Sequence, residues 1–285
     1  MTRRTPRRFA RLYRLVCDPL GLTGLLLVVL FIAGAAFAPY LTPHSPTKID
    51  VPHRLEPPSA QFILGTDQLG RDTFTRVLYG GRVALRVAAI AVSIGLACGL
   101  VLGMIAGYGP RWLDNALMLV FDTINSFPAI MLALAIITLT GPSLQMIIVV
   151  VVINSIPSYG RIARTQTLSL RHTEFILAER ALGAGMVRVL ARHVMPNVIG
   201  PLLILAAMNV PVVVTIEAGL SFLGLGVRPP TPSWGSILAD GRQIIRDTPW
   251  PVIAGGLPLI ATTIGFTFLG EALRDILDPR LRKAL

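Results

Sequence analysis

Apolar runs and short polar breaks alternate along the 285 residues of the chain, and the apolar runs set the architecture. Residues 20–40, 87–108, 116–139, 198–223 and 252–273 have the length that crosses about 30 Å of hydrocarbon at about 1.5 Å per residue. Residues 146–156 form a shorter run that spans only with its polar flanks. None shows the period-two alternation of a barrel strand, and an unpaired backbone group in lipid costs several kcal/mol, so the runs predict helices. The expected fold is an all-α polytopic membrane protein with six transmembrane helices. A strongly polar interval, residues 158–197, separates the fourth run from the fifth and carries six arginines.

Composition points the same way: 53% hydrophobic residues, 14% charged and a mean hydropathy of +0.67 exceed what a soluble domain of this size hides. Six spans put both termini on one side. Of the 26 arginines and lysines, 17 lie in the N-terminal tail, the turn at 110–114, the polar interval and the C-terminal tail; eight lie opposite, and Arg86 sits at a boundary. The excess of cations on the cytoplasmic side of membrane proteins predicts that both termini and the polar interval are cytoplasmic. Because the net charge of +11 is spread over loops beside spans, it predicts contact with membrane lipid and no nucleic acid. Arg3, Arg4, Arg7 and Arg8, with Ala36-Phe37-Ala38 after the first apolar run, imitate a signal peptide; a run of about 20 residues exceeds the usual 7 to 15, so an uncleaved first span is expected.

Several chemistries are left without residues. Cys17 and Cys98 do not form a disulfide framework, and His44, His53, His172 and His193 lack ligand spacing, so no metal is expected. A phosphate-cradling loop needs Gly-Lys-Ser/Thr, whereas the two lysines are Lys48 after Thr47 and Lys283 after Arg282. His-Glu-x-x-His and Gly-x-Ser-x-Gly are also missing. The chain is expected to hold no catalytic residue and no cofactor of its own, although an intramembrane enzyme stays open without a nominated nucleophile.

In the polar interval, Thr173 is placed to cap a helix. Phe175, Ala178, Leu182 and Val189 make an apolar stripe at roughly helical spacing beside Arg180 and Arg188. Gly183 interrupts it at a cost of about 1 kcal/mol relative to alanine, a cost offset by a sharp bend or a close approach. Pro196 closes the segment before the fifth run. Two readings follow: a short helix lying across the membrane surface to touch a soluble partner, or a solvated connector with helical content.

Here a resemblance enters. Ala181-Leu182-Gly183-Ala184, followed by Arg192-His193-Val194-Met195-Pro196-Asn197, closely resembles the cytoplasmic "EAA" loop of binding-protein-dependent ABC importer permeases. Leu64-Gly65-Thr66-Asp67-Gln68-Leu69-Gly70-Arg71-Asp72 and Leu78-Tyr79-Gly80-Gly81-Arg82-Val83 resemble the region before the second span of dipeptide and oligopeptide permeases, in particular the second of their two permease subunits. Ser221-Phe222-Leu223-Gly224-Leu225-Gly226-Val227-Arg228-Pro229-Pro230, continuing to Gly235, and the tail from Leu269 to Arg282 match as well. The chain departs at the motif's name: the aligned positions are Leu177, Ala178 and Glu179 rather than Glu-Ala-Ala. That puts in doubt a salt bridge from the first position, while the bend and the docking surface survive.

The resemblance implies the ABC importer type I permease fold in a prokaryotic inner (plasma) membrane. It divides the chain into a cytoplasmic tail 1–19, a first helix 20–40, an external segment 41–82, a permease core 83–275 with coupling loop 158–197, and a tail 276–285. It implies a coupling role for Glu179, Arg180, Ala181, Leu182, Gly183, Ala184 and Pro196. The implied partners are cytoplasmic ATP-binding subunits that hold ATP and Mg, a second homologous permease subunit, and an extracytoplasmic substrate-binding protein. Di- or oligopeptides are the implied cargo, with nickel or another solute as the alternative; an ion-driven carrier would instead need working acids such as Asp122 or Glu217. Asp122 and Asn125 in the third run are candidates for the translocation path or for pairing with a neighbouring span, and Pro128 for a packed kink. Glu217, near the outer end of the fifth run, either holds the turn at 221–226 or meets a passing peptide's amino group. The external segments, the second of them carrying Trp234 and Trp250, either receive the binding protein or lie as a lid on the bundle.

Overall fold

The structure is a computed structural model that describes residues 15–277. Its long elements are helices α1 (Pro19–Ala36), α2 (Thr73–Tyr108), α3 (Arg111–Ser126), α4 (Ala129–Thr140), α5 (Leu144–Leu170), α6 (Glu174–Ala181), α7 (Met195–Phe222), α8 (Trp234–Gln243) and α9 (Trp250–Leu277). Among the described residues only a single isolated bridge, Thr66 to Asp72, has β character. Five segments are long and apolar enough to span a membrane, and α3 with α4 makes a sixth that is bent by 86°.

That bend falls at Pro128, where a packed kink was expected, and divides the third apolar run into two helices. Phe127 takes an extended conformation, φ −92° and ψ 129°, as the residue before a proline tends to, and Pro128 supplies no N–H to continue the ladder. Pro128 and Phe127 are exposed on this chain, so the kink is real but is not packed by the chain's own helices.

Two further boundaries differ from the apolar pattern. Helix α2 begins at Thr73, where Asp72 caps it by accepting the Thr75 N–H at 3.0 Å; over 36 residues it is about 54 Å long, well beyond the hydrocarbon. The polar interval does not leave the bundle at Ser158 either, because α5 continues unbroken to Leu170.

The seam between α2 and α5 explains that continuation. Gly95, Gly99, Gly103 and Gly107 recur every fourth residue and face Ser155, Tyr159, Gly160, Ala163 and Thr167. A Cβ on Gly103 would stand 2.2 Å from the Gly160 carbonyl oxygen, and one on Gly99 would stand 2.5 Å from the Tyr159 Cβ. Lipid gives helices no hydrophobic reason to associate, so backbone approach and van der Waals contact must do it, which small residues permit. Helix α1 docks on α9 by the same means: a Cβ on Gly24 would meet the Leu269 nitrogen at 2.6 Å, and one on Gly265 the Leu27 Cβ at 2.9 Å.

The bundle has two unlike ends. Residues 42–72 and α8 cover one, the lid end. A hairpin made of α6 and the turns after it stands at the other. Gly103→Val should lower the thermal midpoint of the detergent-purified protein, by on the order of 1–3 kcal/mol of overpacking. Gly200→Ala, where a Cβ meets nothing within 4 Å, should leave the midpoint unchanged or raise it.

Candidate functional site

The hairpin is the first part of the site. Thr173 occupies the cap position of α6, but its hydroxyl donates to the Leu170 carbonyl at 2.6 Å instead of capping. After Ala181 the chain reverses at Gly183, whose φ of +85° is the left-handed conformation that glycine adopts without penalty. The Gly183 N–H donates to the Arg180 carbonyl and the Ala184 N–H to the Glu179 carbonyl, each at 3.0 Å, closing the end of the helix. A single turn, Met186–Val189, then enters a wide π turn, Leu190–Val194, that runs directly into α7. Pro196 therefore sits in the first turn of α7 and ends nothing; a wide turn is a known way to accommodate a proline ring against the carbonyl four residues earlier.

The expected apolar stripe does not pack as a unit. Ile176, Val189, Leu190 and Val194 are the buried residues, whereas Phe175, Ala178 and Leu182 face outward. The helix is eight residues long and lies on the hairpin, so only one of its side chains reaches the interior. The outer side of the hairpin carries Leu177, Leu182 at 85% exposure and Val187 at 80%, flanked by exposed Arg180 and Arg188. Apolar side chains standing out at the polar end of a bundle mark a contact surface. Glu179 lies 3.3 Å from the His193 Nε2, which brings α6 against the π turn at the foot of α7. Arg180 lies over the Tyr108 ring at 5.9 Å, tying the same helix to the end of α2.

A polar strip on the spans is the second part. Asp122 of α3 accepts from the Arg161 guanidinium of α5 at 2.7 Å, with side-chain exposures of 68% and 44%. Asp122 lies about 16 Å along α3 from Arg111, and Arg161 about 14 Å before the end of α5, so the pair stands inside the apolar segments and not at their tips. Ser158, Arg161 and Thr165 share one exposed face of α5, and Asn125 is exposed on α3 one turn from Asp122. An acid or arginine at the centre of a span costs at least about 2.5 kcal/mol when it faces lipid, so this face is turned toward water or protein. Sequence reasoning missed Ser158, Arg161 and Thr165 because it placed them in the solvated interval; their spacing of three and four residues was the available signal.

Glu217 belongs to neither part. It is fully buried in α7 and accepts from the Ser221 hydroxyl at 2.7 Å, so in this conformation no solute reaches it. Ser221 also lies under the turn that follows, with its Cα 2.4 Å from where a Gly226 Cβ would be. The start of α8 is pressed on the same region, a Cβ on Gly235 falling 2.0 Å from the Ala218 carbonyl oxygen.

The lid is held by charge. Asp67 and Arg76 are almost fully buried. The Arg71 Nε donates to Asp67 at 2.7 Å, Arg76 donates to the same oxygen, and both arginines reach the Asp240 carboxylate of α8 at 3.1 Å. The other Asp67 oxygen accepts the backbone N–H groups of Leu69 and Arg71 at 2.8 and 3.0 Å. Trp234, 1% exposed, donates its ring N–H to the Val77 carbonyl at 2.9 Å. These bonds pack residues 64–72 and α8 on the first turns of α2 as a lid.

A bundle of glycine-seamed spans with a charged, lipid-incompatible face and an exposed hairpin is the architecture of a membrane transport subunit. Residues 99–283 match the family model described as binding-protein-dependent transport system inner membrane component, and residues 7–58 match the N-terminal TM domain of oligopeptide transport permease C. The chain is 41% identical over 265 residues to the dipeptide transport system permease protein DppC of Alkalihalophilus pseudofirmus, covering 93% of this chain and 87% of that protein. It is 36% identical over 281 residues to the glutathione transport system permease protein GsiD of Pectobacterium atrosepticum, covering 98% and 93%. Its fold resembles a chain of the inward-facing MetNI methionine ABC transporter, with a TM-score of 0.58 and 19% identity over 71% of this chain and 97% of that one.

The class is thus that of ABC importer permeases, multi-pass proteins of the inner membrane. The chain belongs to the family of binding-protein-dependent transport system inner membrane components.

Asp67→Asn removes the anion that two buried arginines share, and breaking such a pair costs on the order of 3–5 kcal/mol. Its expected signature is a lower unfolding midpoint together with new protease cleavage within residues 42–72. An unchanged midpoint would show that the lid is held by Trp234 and apolar contact instead.

Proposed function

We propose that this chain is the permease subunit of an ATP-driven importer of di- or oligopeptides, forming half of the translocation path beside a second, homologous permease subunit. The peptide assignment is supported by relatives named for dipeptide and glutathione transport that align over most of the chain. On the charge asymmetry of the loops, both termini and the hairpin are cytoplasmic and the lid is external.

The exposed Leu177, Leu182 and Val187 around the reversal at Gly183 carry this reading. They form a docking surface for a cytoplasmic ATP-binding subunit, and Glu179, Arg180, Ala181 and Ala184 frame it. This chain has no Gly-Lys-Ser/Thr loop, so ATP and Mg are held by that partner and the chain catalyses nothing. Closure of the ATP-binding pair moves the hairpin. Glu179 to His193 and Arg180 to Tyr108 carry the motion to α7 and α2, since a conformational equilibrium shifts only through contacts that differ between its states. The strip of Ser158, Arg161, Thr165, Asp122 and Asn125 lines the path, because a peptide with charged ends passes more easily along groups that replace its water. An extracytoplasmic substrate-binding protein delivers the peptide at the lid end.

Uptake of labelled di-, tri- and longer peptides by the reconstituted transporter tests this. Gly183→Asp should abolish uptake while the chain remains inserted and its spans keep their thermal midpoint. A Cβ at φ +85° strains only the reversal, by about 1–2 kcal/mol, and nothing lies within 4 Å of it to clash. Normal uptake by this variant would remove the coupling role, and uptake of no peptide by the unaltered transporter would remove the substrate assignment.

A further inference from the structure

An apolar cavity of about 420 Å³ lies at the lid end between α1, the start of α2 and α9, and nothing in the transport cycle above uses it. Its inner wall includes Phe31, Ala35, Trp234 and Ala254. Two polar side-chain groups line it, the Thr262 hydroxyl and the Trp234 N–H, and the latter is committed to the Val77 carbonyl. Water needs two to four polar partners, and an apolar cavity of about 150 Å³ already stays dry and takes up benzene, so this larger one is not a water site.

The cavity's rim indicates what fills it. Leu30, 70% exposed, and Leu257, 65% exposed, both line the cavity, and both stand on helices that cross the membrane. Around them Leu26 and Ile260 continue the exposed apolar surface of α1 and α9. The opening therefore lies sideways, in an apolar surface of two spans that this chain leaves uncovered. Along α9 the lining runs from Ile253 to Thr262, a depth of about 14 Å, close to half of a hydrocarbon core of about 30 Å. Left empty, such a space would forfeit van der Waals contact on every wall.

We propose that this cavity is a lipid site, occupied by one acyl chain of a phospholipid from the leaflet on the lid side. The chain enters between Leu30 and Leu257 and ends against the Trp234 ring, so that lipid completes the packing of α1 on the rest of the bundle.

The test places the complete transporter in phosphatidylethanolamine and phosphatidylglycerol vesicles containing a phosphatidylcholine with a diazirine at mid-chain. After illumination, adducts are mapped by mass spectrometry. Adducts are expected on the buried Trp234 and Ala254 as well as on the exposed Leu26 and Ile260. Gly34→Leu, whose added Cβ makes only an ordinary 3.5 Å contact with Leu78, fills the cavity; it should lose the Trp234 and Ala254 adducts and keep the other two. Ala261→Phe fills the cavity from the opposite wall and should do the same. Labelling confined to Leu26, Leu30 and Ile260 in the unaltered protein would overturn the proposal and leave the space to a neighbouring subunit or to a passing apolar side chain. Adducts at Trp234 that survive both filling variants would overturn it as well.

Discussion

Close backbone contact between α2 and α5 is the constraint on which the rest of the structure depends. In water, α5 beyond Ile156 would have little reason to remain helical inside a bundle, since Ser158, Arg161 and Thr165 face outward from it. It stays because Gly160, Ala163 and Thr167 on its other face lie against Gly99, Gly103 and Gly107. One face of a single helix thereby supplies structural packing while the other is left free for charge. Moving the seam by even one residue would turn Arg161 into the α2 backbone, where there is no room for it.

From that helix the geometry of the hairpin follows. The Arg171 guanidinium donates to the Gly107 carbonyl at 3.2 Å, which fixes the end of α5 against the end of α2 just before α6 begins. Arg164 pairs with Asp114, tying the start of α3 to the same place. The hairpin stands on three anchored helices and reaches a fourth through the π turn, which is the connection that the proposed coupling would use. Helix α4 meets chiefly α5 and leaves Leu139 exposed, and its end is tied by the Arg228 guanidinium, which donates to the Pro142 carbonyl at 2.8 Å.

The sequence made the membrane class, the helical spans and the family legible, because twenty-residue apolar runs have few alternative explanations and the Gly183 region resembles a distinctive loop. What it hid was relational. Pro128 announced a kink, but its 86° size depends on what α4 packs against. Thr173 sat where a cap belongs, yet its hydroxyl found the Leu170 carbonyl first. The arginines at 161 and 164 pointed to solvent by composition, while Gly160, Ala163 and Thr167 kept the helix in the bundle. Asp67 and Asp240 are 173 positions apart, so no local pattern could join them through two arginines. The four-residue repeat of Gly95, Gly99, Gly103 and Gly107 was readable and would have located the central seam.

On the function proposed above, motion enters this chain through the exposed end of the hairpin. Leu182→Cys in the assembled transporter, paired with single cysteines across the surface of the ATP-binding subunit, addresses it directly. A disulfide is expected at one confined patch of that subunit, with uptake blocked while the bond is present and restored on reduction. Failure of Leu182→Cys to link at any position, in a transporter that imports peptide normally, would contradict it.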